Sequence, residues 1–286
     1  MTVQLTTSDL LARGTALLAP VLDAPSLDAG ILLAFSLSIP RVRLKSHPEA
    51  ERTAADLERY LALIERRASG EPLAYITGVR EFWTLELQVN RAVLVPRPET
   101  ELLVERALAL TSAAAAQVLD LGTGSGAVAL SLAAERAHWS ILATDAAPGA
   151  LAVARDNGRR LGLTNVTFED SDWFSALGGR RFDLVVSNPP YVAAGDAALL
   201  ALQDEPRQAL TPGEDALADL RLIIQAAPTH LHAGGWLALE HGAAQGGAVA
   251  HELVARGFGS VRSHRDLAGH LRVTEGQWPQ DPAHSR

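Results

Sequence analysis

Two short loops hold the residues whose types and spacing could do chemistry. The first is Asn188-Pro189-Pro190-Tyr191. Neither proline has a backbone N–H, so the loop presents acceptors: the Asn188 side-chain oxygen and the Pro189 carbonyl. Asn188 precedes a proline and is pushed to an extended conformation, and the second proline restricts the backbone further. A rigid pair of acceptors can hold both N–H groups of an –NH₂ on a planar carbon. That turns the nitrogen's out-of-plane face toward an electrophile, with Tyr191 as a flat surface for the planar group. An amide nitrogen is a poor nucleophile because its lone pair is delocalised, and orienting the reactants can supply on the order of 7–11 kcal/mol. Alone, Asn-Pro-Pro also reads as an ordinary turn. Its place after a strand, downstream of a second loop, favours the chemical reading.

That second loop is Asp120-Leu-Gly-Thr-Gly-Ser-Gly126. Gly122, Gly124 and Gly126 permit a tight turn and let a ligand approach the backbone, with Thr123 and Ser125 between them. The helix that follows offers free N–H groups. Asp145 comes nineteen residues after Gly126, where an acidic side chain at a strand end can accept both hydroxyls of a ribose. The pattern points to an adenosine derivative. A dinucleotide fingerprint has its third glycine three residues after the second, whereas here the interval is two. Asp120 would repel a pyrophosphate and attract the ammonium of a methionine moiety. Further on, Asp172 could accept from an adenine amino group and Trp173 could stack on the ring, while Phe174 reads equally well as core.

The elements that position these loops alternate strand and helix from residue 117 onward. Strands are expected at 118–121, 141–144, 166–169, 182–187, 236–240, 261–264 and 271–275. Helices are expected at 127–135, 148–161, 217–231 and 246–256. This is the rhythm of a doubly wound, mostly parallel α/β sheet, which binds ligands beyond the carboxyl ends of its strands. Residues 82–95 read as a β-hairpin turning at Asn90-Arg91, followed by Pro96-Arg97-Pro98-Glu99-Thr100-Glu101 and a helix over 102–110. The first eighty residues show helical periodicity at 7–19, 26–37 and 49–68. Ser8 and Ser26 are candidate N-caps, and Ser69-Gly70 ends the third helix. The expected organisation is therefore a helical domain over 1–80, a hairpin linker over 81–96, a ligand-binding α/β domain over 97–278 and a polar tail over 279–286.

Composition bounds the partners. The chain has 286 residues, 48% hydrophobic and 20% charged, which suits a large domain with a smaller one. Zero cysteines exclude disulfides and thiolate chemistry. The histidines show no metal spacing. A net charge of −8 argues against nucleic acid as the main partner. Arg41, Arg43, Lys45 and His47 form a small basic stretch that reads as a solvated loop. No secretory signal or membrane-spanning run is visible, which makes the cytoplasm the expected location.

The chain resembles the peptide-chain release factor glutamine methyltransferases, the PrmC or HemK family, over nearly its whole length. The resemblance rests on Gly70-Glu-Pro-Leu-Ala-Tyr-Ile-Thr-Gly78, Glu81-Phe-Trp83, Val95-Pro-Arg-Pro-Glu-Thr-Glu101, the Gly-rich loop, Ser171-Asp-Trp-Phe174, Ser187-Asn-Pro-Pro-Tyr191 and Leu239-Glu-His-Gly242. It implies a seven-stranded, Rossmann-like class I methyltransferase domain behind a helical domain that helps dock the release factor. It also implies S-adenosyl-L-methionine as cofactor, with the glutamine of a Gly-Gly-Gln motif methylated on its side-chain nitrogen. On that resemblance Asn188, Pro189, Pro190 and Tyr191 would hold and orient the amide. Gly122, Thr123, Gly124, Ser125, Gly126, Asp145, Asp172, Trp173 and Asn188 would contact the cofactor, and 96–98 would line the cleft. Glu240 and His241 are expected to be structural. The competing readings are an N-methyltransferase acting on an exocyclic amine of DNA or RNA, a dehydrogenase, and a non-catalytic relative.

Overall fold

The computed structural model describes residues 5–111 and 113–280, in two compact units, Met1–Gly78 and Val79–Arg286. Of the expected polar tail, 281–286 lie outside the described residues. In the first unit, β1 (Leu5–Thr6) pairs antiparallel with β2 (Glu51–Arg52). Five helices follow the chain: α1 (Thr7–Leu18), α2 (Pro25–Ser36), α3 (Val42–Ser46), α4 (Ala54–Ala68) and α5 (Leu73–Thr77). They enclose a core that includes Leu10, Leu18, Leu32, Leu33, Tyr60, Ile64 and Ile76.

The helix starts differ from expectation. Thr6, not Ser8, caps α1, because Asp9 three residues on returns the hydrogen bond to the Thr6 N–H at 2.9 Å and closes a capping box. Ser26 caps nothing: α2 opens on Pro25, whose missing N–H suits a first-turn position. The third expected helix starts at Ala54, since Glu51 and Arg52 pair with β1 and Thr53 forms a second capping box with Asp56. The basic stretch is not a loop but carries the short helix α3, with Arg41, Arg43 and Lys45 exposed.

The second unit begins with a hairpin, β3 (Val79–Phe82) and β4 (Leu85–Gln88). Its turn is at Trp83-Thr84, one strand earlier than expected. Trp83 takes φ +55, unfavourable for a bulky residue. Tertiary contacts hold it there: its N–H donates to Glu101 Oε1 at 2.9 Å and its indole N–H to Glu135 Oε1 at 2.8 Å. A 3₁₀ turn (Pro98–Thr100) leads into α6 (Glu101–Leu110). Then follow β5 (Gln117–Leu121), α7 (Ala127–Glu135), β6 (Ser140–Asp145), α8 (Pro148–Leu161), β7 (Val166–Asp170) and β8 (Phe182–Ser187). After a long loop carrying α9 (Ala198–Ala201) come α10 (Ala218–Ala226), β9 (Leu231–Glu240), α11 (Gly246–Arg256), β10 (Gly259–Arg265) and β11 (Leu271–Gln277).

The expected helix over 217–231 stops as α10 at Ala226 and tightens into a 3₁₀ turn around Pro228, which cannot continue an α-helical ladder. β9 then starts five residues earlier than the sequence suggested, with Gly234 at φ +81 beside a register shift against β8.

The seven-stranded sheet has the order β10-β11-β9-β8-β5-β6-β7. It is parallel from β9 to β7, and β11 runs antiparallel to β9 and β10. Alternate residues feed two cores. Val118, Leu184, Val186 and Ala238 face α6 and α7, whereas Leu119, Leu121, Val185, Leu237 and Leu239 face α10 and α11. Burial on both faces explains why these strands read as continuous apolar runs. The strand order reverses between β5 and β8, a topological switch point at which such sheets open a crevice.

The first unit contains one close helix approach that can be tested. A Cβ on Gly14 of α1 would lie 1.8 Å from the Tyr60 hydroxyl oxygen, and that hydroxyl donates to the Ala29 carbonyl at 3.2 Å. Ala favours a helix over Gly by about 0.5–1 kcal/mol, yet overpacking costs about 1–3 kcal/mol. Gly14→Ala is therefore expected to lower stability in urea denaturation. Gly30→Ala in α2, whose nearest new contact is 3.6 Å away, should leave it unchanged or raise it.

Candidate active site

Strand register puts four loop-leading residues in one row. Leu121 pairs with Thr144 and with Ser187, and Ser187 pairs with Leu239. The next residues, Asp145, Gly122, Asn188 and Glu240, therefore stand side by side along the carboxyl edge of β6, β5, β8 and β9. The Ser187 hydroxyl donates to the Leu121 carbonyl at 2.8 Å and fastens the β5 and β8 ends together.

The Gly-rich loop turns through three left-handed glycines, Gly122, Gly124 and Gly126, at φ +69, +57 and +85. Space at Gly126 is also tight, since a Cβ there would lie 2.8 Å from Leu130 Cδ1. Asp120, buried at the end of β5, organises the turn: its Oδ2 accepts from the Thr123 hydroxyl at 2.7 Å and from the Ala129 N–H at 3.2 Å. Burial pushes its carboxyl up to about 7, offset in part by those bonds. Asp145 accepts from the Gly124 N–H at 2.9 Å on one oxygen and the Ala147 N–H at 2.9 Å on the other. Burial raises this acid as well. Behind the loop, buried Asn157 donates to the Ser125 and Gln88 carbonyls and accepts from the Gln88 N–H, tying α8 and the hairpin to the turn.

Just after β8, Asn188 is half-buried and Pro189 buried. The Asn188 Nδ2 donates to the Thr100 hydroxyl at 3.2 Å. The Tyr191 hydroxyl donates to Glu240 Oε1 at 3.1 Å, and its main-chain carbonyl accepts from Gln245 Nε2 at 3.0 Å. Burial, with the nearby Glu240 charge, raises the Tyr191 phenol, and burial pushes Glu240 up to about 7. His241 is buried, with one ring nitrogen on the Thr274 hydroxyl and the other on the Gly242 carbonyl. Burial lowers its basicity.

These loops wall a cleft of about 720 Å³, within the size range of small-molecule sites. Asp120, Gly122, Thr123, Gly124, Ser125, Asp145, Asp172, Trp173, Asn188 and Pro190 line it, as do Pro96, Arg97 and Thr100. Three residues named from sequence do not: Gly126 turns away into α7, Pro189 is buried, and Tyr191 packs on the core with its hydroxyl on Glu240. Phe174 is core, stacked on His230 at 4.6 Å. Trp173 beside it takes φ +47 and stands over Gly122, where a Cβ would lie 3.5 Å from the indole. Such strain persists where the surroundings impose it, often at functional sites. Sequence reasoning missed Glu205, which is buried and accepts from the Val95 N–H at 3.0 Å while pairing with Arg97. It holds the segment carrying Pro206, Arg207 and Gln208 at the cleft wall. It also missed Asp219, a wall residue raised by burial and by the charge of Asp172. No local motif announces either one.

Comparison with known proteins fits this geometry. A family model described as the PrmC N-terminal domain matches residues 9–78, and one described as the methyltransferase small domain matches 98–216. A release factor glutamine methyltransferase from Pseudomonas aeruginosa is 50% identical over 260 residues, covering 90% of this chain and 94% of that protein. The chain belongs to the release factor glutamine methyltransferase family. The Salmonella typhimurium member is 45% identical over 258 residues, covering 90% of this chain and 93% of that one. Among solved structures, a methyltransferase from Pyrococcus furiosus superposes with a TM-score of 0.53 at 19% identity, covering 76% of this chain and 98% of that chain. The T. thermophilus 16S rRNA N2 G1207 methyltransferase, solved with AdoMet and guanosine, gives 0.51 at 20% identity, covering 70% and 49%. At such identities the likeness concerns the fold alone. Among the described residues, no helix is long and apolar enough to cross a membrane and no acid, histidine or cysteine cluster could hold a metal.

The raised acids make stability depend on pH. Asp120 is held protonated more tightly in the fold than in the unfolded chain. Its contribution is therefore fully present below pH about 4 and is lost as pH rises through about 7. His241, lowered, works in the opposite sense as it loses its proton. Asp120→Asn isolates the first effect. Relative to wild type, the variant's unfolding free energy is expected to gain on the order of 1–3 kcal/mol between about pH 5 and about pH 8. Denaturation series at the two pH values measure it, and a constant difference would contradict the assignment.

Proposed function

We propose that the protein transfers the methyl group of S-adenosyl-L-methionine to the side-chain amide nitrogen (N5) of the glutamine in the Gly-Gly-Gln motif of peptide-chain release factors. The observation that carries this reading is the pose of Asn188. It stands at the cleft wall, one residue past the strand position paired with Leu121, with its Nδ2 engaged by Thr100. Its Oδ1 is then the atom left to accept from a substrate N–H. Relatives at 45–50% identity named for this activity support the choice of substrate.

The residues present fit the cofactor. The left-handed glycines leave the loop face bare, with no atom within 4 Å of a Cβ built on Gly124. Asp145 retains acceptor capacity for ribose hydroxyls beyond its two backbone bonds. Asp120 and Asp145 together favour a cation at their end of the cleft. Trp173, standing over Gly122, offers an aromatic face, and Asp172 an acceptor. When bound, S-adenosyl-L-methionine supplies a strongly electrophilic sulfonium methyl. The chain itself binds and orients: Asn188 Oδ1 accepts one amide N–H at the cleft wall, and the carbonyl of Pro189, a buried residue just behind that wall, is assigned the other, which aims the nitrogen's open face. Pro190 keeps a competing donor out of the loop, and Tyr191, anchored to Glu240 and Gln245, braces it from below. Water exclusion and alignment are the chief contributions expected of the protein. The N-terminal unit is assigned to docking the release factor, and the cytoplasm, where translation terminates, is the assigned location.

Incubating a purified release factor with the enzyme and S-adenosyl-L-methionine, followed by peptide mass spectrometry, tests the reading. The expected result is one added methylene on the Gly-Gly-Gln glutamine. Methylation of RNA or DNA with none on that peptide would overturn it. Two variants separate the roles of the loops. Asn188→Ala should keep the cofactor dissociation constant within a few-fold while turnover falls by about a hundredfold or more, through lost alignment. Asp145→Ala should raise that constant by about tenfold or more, as a lost charged hydrogen bond implies. Calorimetry and single-turnover rates measure both.

A further inference from the structure

Asn188 can serve as an acceptor only if its amide points the right way, and an asparagine side chain is nearly symmetric in shape. Flipped, it would present an NH₂ to the substrate's own NH₂, and donor would face donor. Something must fix the flip. The Pro189 and Pro190 backbone cannot, since neither has an N–H to claim Oδ1. The only described partner of the Asn188 side chain is the Thr100 hydroxyl, at 3.2 Å from Nδ2.

A hydroxyl is both donor and acceptor, so Thr100 could hold either end of the amide. In the structure Nδ2, not Oδ1, faces the Thr100 oxygen, so the hydroxyl acts as the acceptor toward Asn188. The other end of the loop is held separately: fully buried Glu240 takes the Tyr191 hydroxyl on its Oε1.

We propose that Thr100 is a positioning residue: its hydroxyl oxygen accepts from Asn188 Nδ2 and so turns Asn188 Oδ1 into the cleft. Thr100 reaches this place from the turn before α6 and Asn188 from the loop after β8, so the polarity of one side chain is set by a residue distant in the chain. Glu240, at the end of β9, anchors Tyr191 at the other end of the same loop. The inference rests on the proposed amide-methylating role of Asn188.

Thr100→Val and Thr100→Ser test it. Valine keeps the shape and removes the hydroxyl, and serine does the reverse. Turnover on the release factor is expected to fall by about tenfold to a hundredfold in Thr100→Val, as loss of a buried hydrogen bond at a reacting group implies. Cofactor affinity should stay within a few-fold, and Thr100→Ser should recover most of the turnover. A role in packing alone would give the opposite order, with valine the better substitute. A second readout needs no substrate. The chain has four asparagines, Asn90, Asn157, Asn165 and Asn188, so selective ¹⁵N-asparagine labelling gives few side-chain signals, and Asn188→Ala identifies the relevant pair. One Asn188 amide proton should exchange slowly in wild type and Thr100→Ser, and fast in Thr100→Val. Undiminished turnover in Thr100→Val, or an Asn188 amide that exchanges freely in wild type, overturns the inference. A wild-type protein that leaves the release factor unmethylated would instead count against the functional reading, while the exchange measurement still judges the role of Thr100.

Discussion

Everything at the site depends on the hydrogen-bonded register of four parallel strands. Because Leu121, Thr144, Ser187 and Leu239 stand level across β5, β6, β8 and β9, the residues that follow them form a row at the carboxyl edge. A slip of one residue in β8 would send Asn188 to the other face of the sheet and bury the wrong side of the strand. The two apolar cores forbid that slip, since Val185 belongs to one and Leu184 and Val186 to the other. Packing far from the cleft thus fixes the distance between the Gly-rich loop and the Asn-Pro-Pro-Tyr loop, the quantity on which the proposed alignment-driven reaction depends most.

The row is expensive to build. Asp120 and Glu240 are both buried and both raised to about 7, and each is placed where it directs hydrogen bonds. Asp120 collects the Thr123 hydroxyl and the Ala129 N–H and so shapes the Gly-rich turn. Glu240 collects the Tyr191 hydroxyl below the Asn-Pro-Pro-Tyr loop. Trp173 in a left-handed conformation adds strain at the same wall. Stability given up in the cleft is offset by the apolar cores on either side of the sheet.

Much of this was legible in the sequence, because the informative features are local. The Gly-rich turn needs glycine at left-handed positions, Asp145 sits at a strand end, and the two prolines after Asn188 strip the loop of donors. Each is a statement about adjacent residues, and the structure sets Gly122, Asp145 and Asn188 on one cleft. What was not legible depends on distant partners. Asn90-Arg91 carries better turn chemistry than Trp83-Thr84, yet Glu101 and Glu135 hold Trp83 in the hairpin turn. The strand expected at 236–240 begins at Leu231, because β9 runs through Gly234-Gly235 at its register shift against β8. Ser8 seemed the natural cap, although the Thr6 and Asp9 pair was readable three residues apart. Thr100 and Glu240 are separated by 140 positions in the chain, and only the sheet reveals that both serve the Asn188-to-Tyr191 loop. Tyr191 was expected to face a planar group; its hydroxyl on Glu240 makes it a brace.

The proposed reaction turns on Asn188 presenting an oxygen, rather than an amide nitrogen, to a glutamine side chain. The most direct test is a crystal structure of the protein with S-adenosylhomocysteine and a Gly-Gly-Gln peptide. The glutamine amide nitrogen is expected within about 2.7–3.2 Å of Asn188 Oδ1, with Asn188 Nδ2 still on Thr100. A glutamine amide bound elsewhere in the cleft, or an Asn188 side chain released from Thr100 and turned over, would contradict it.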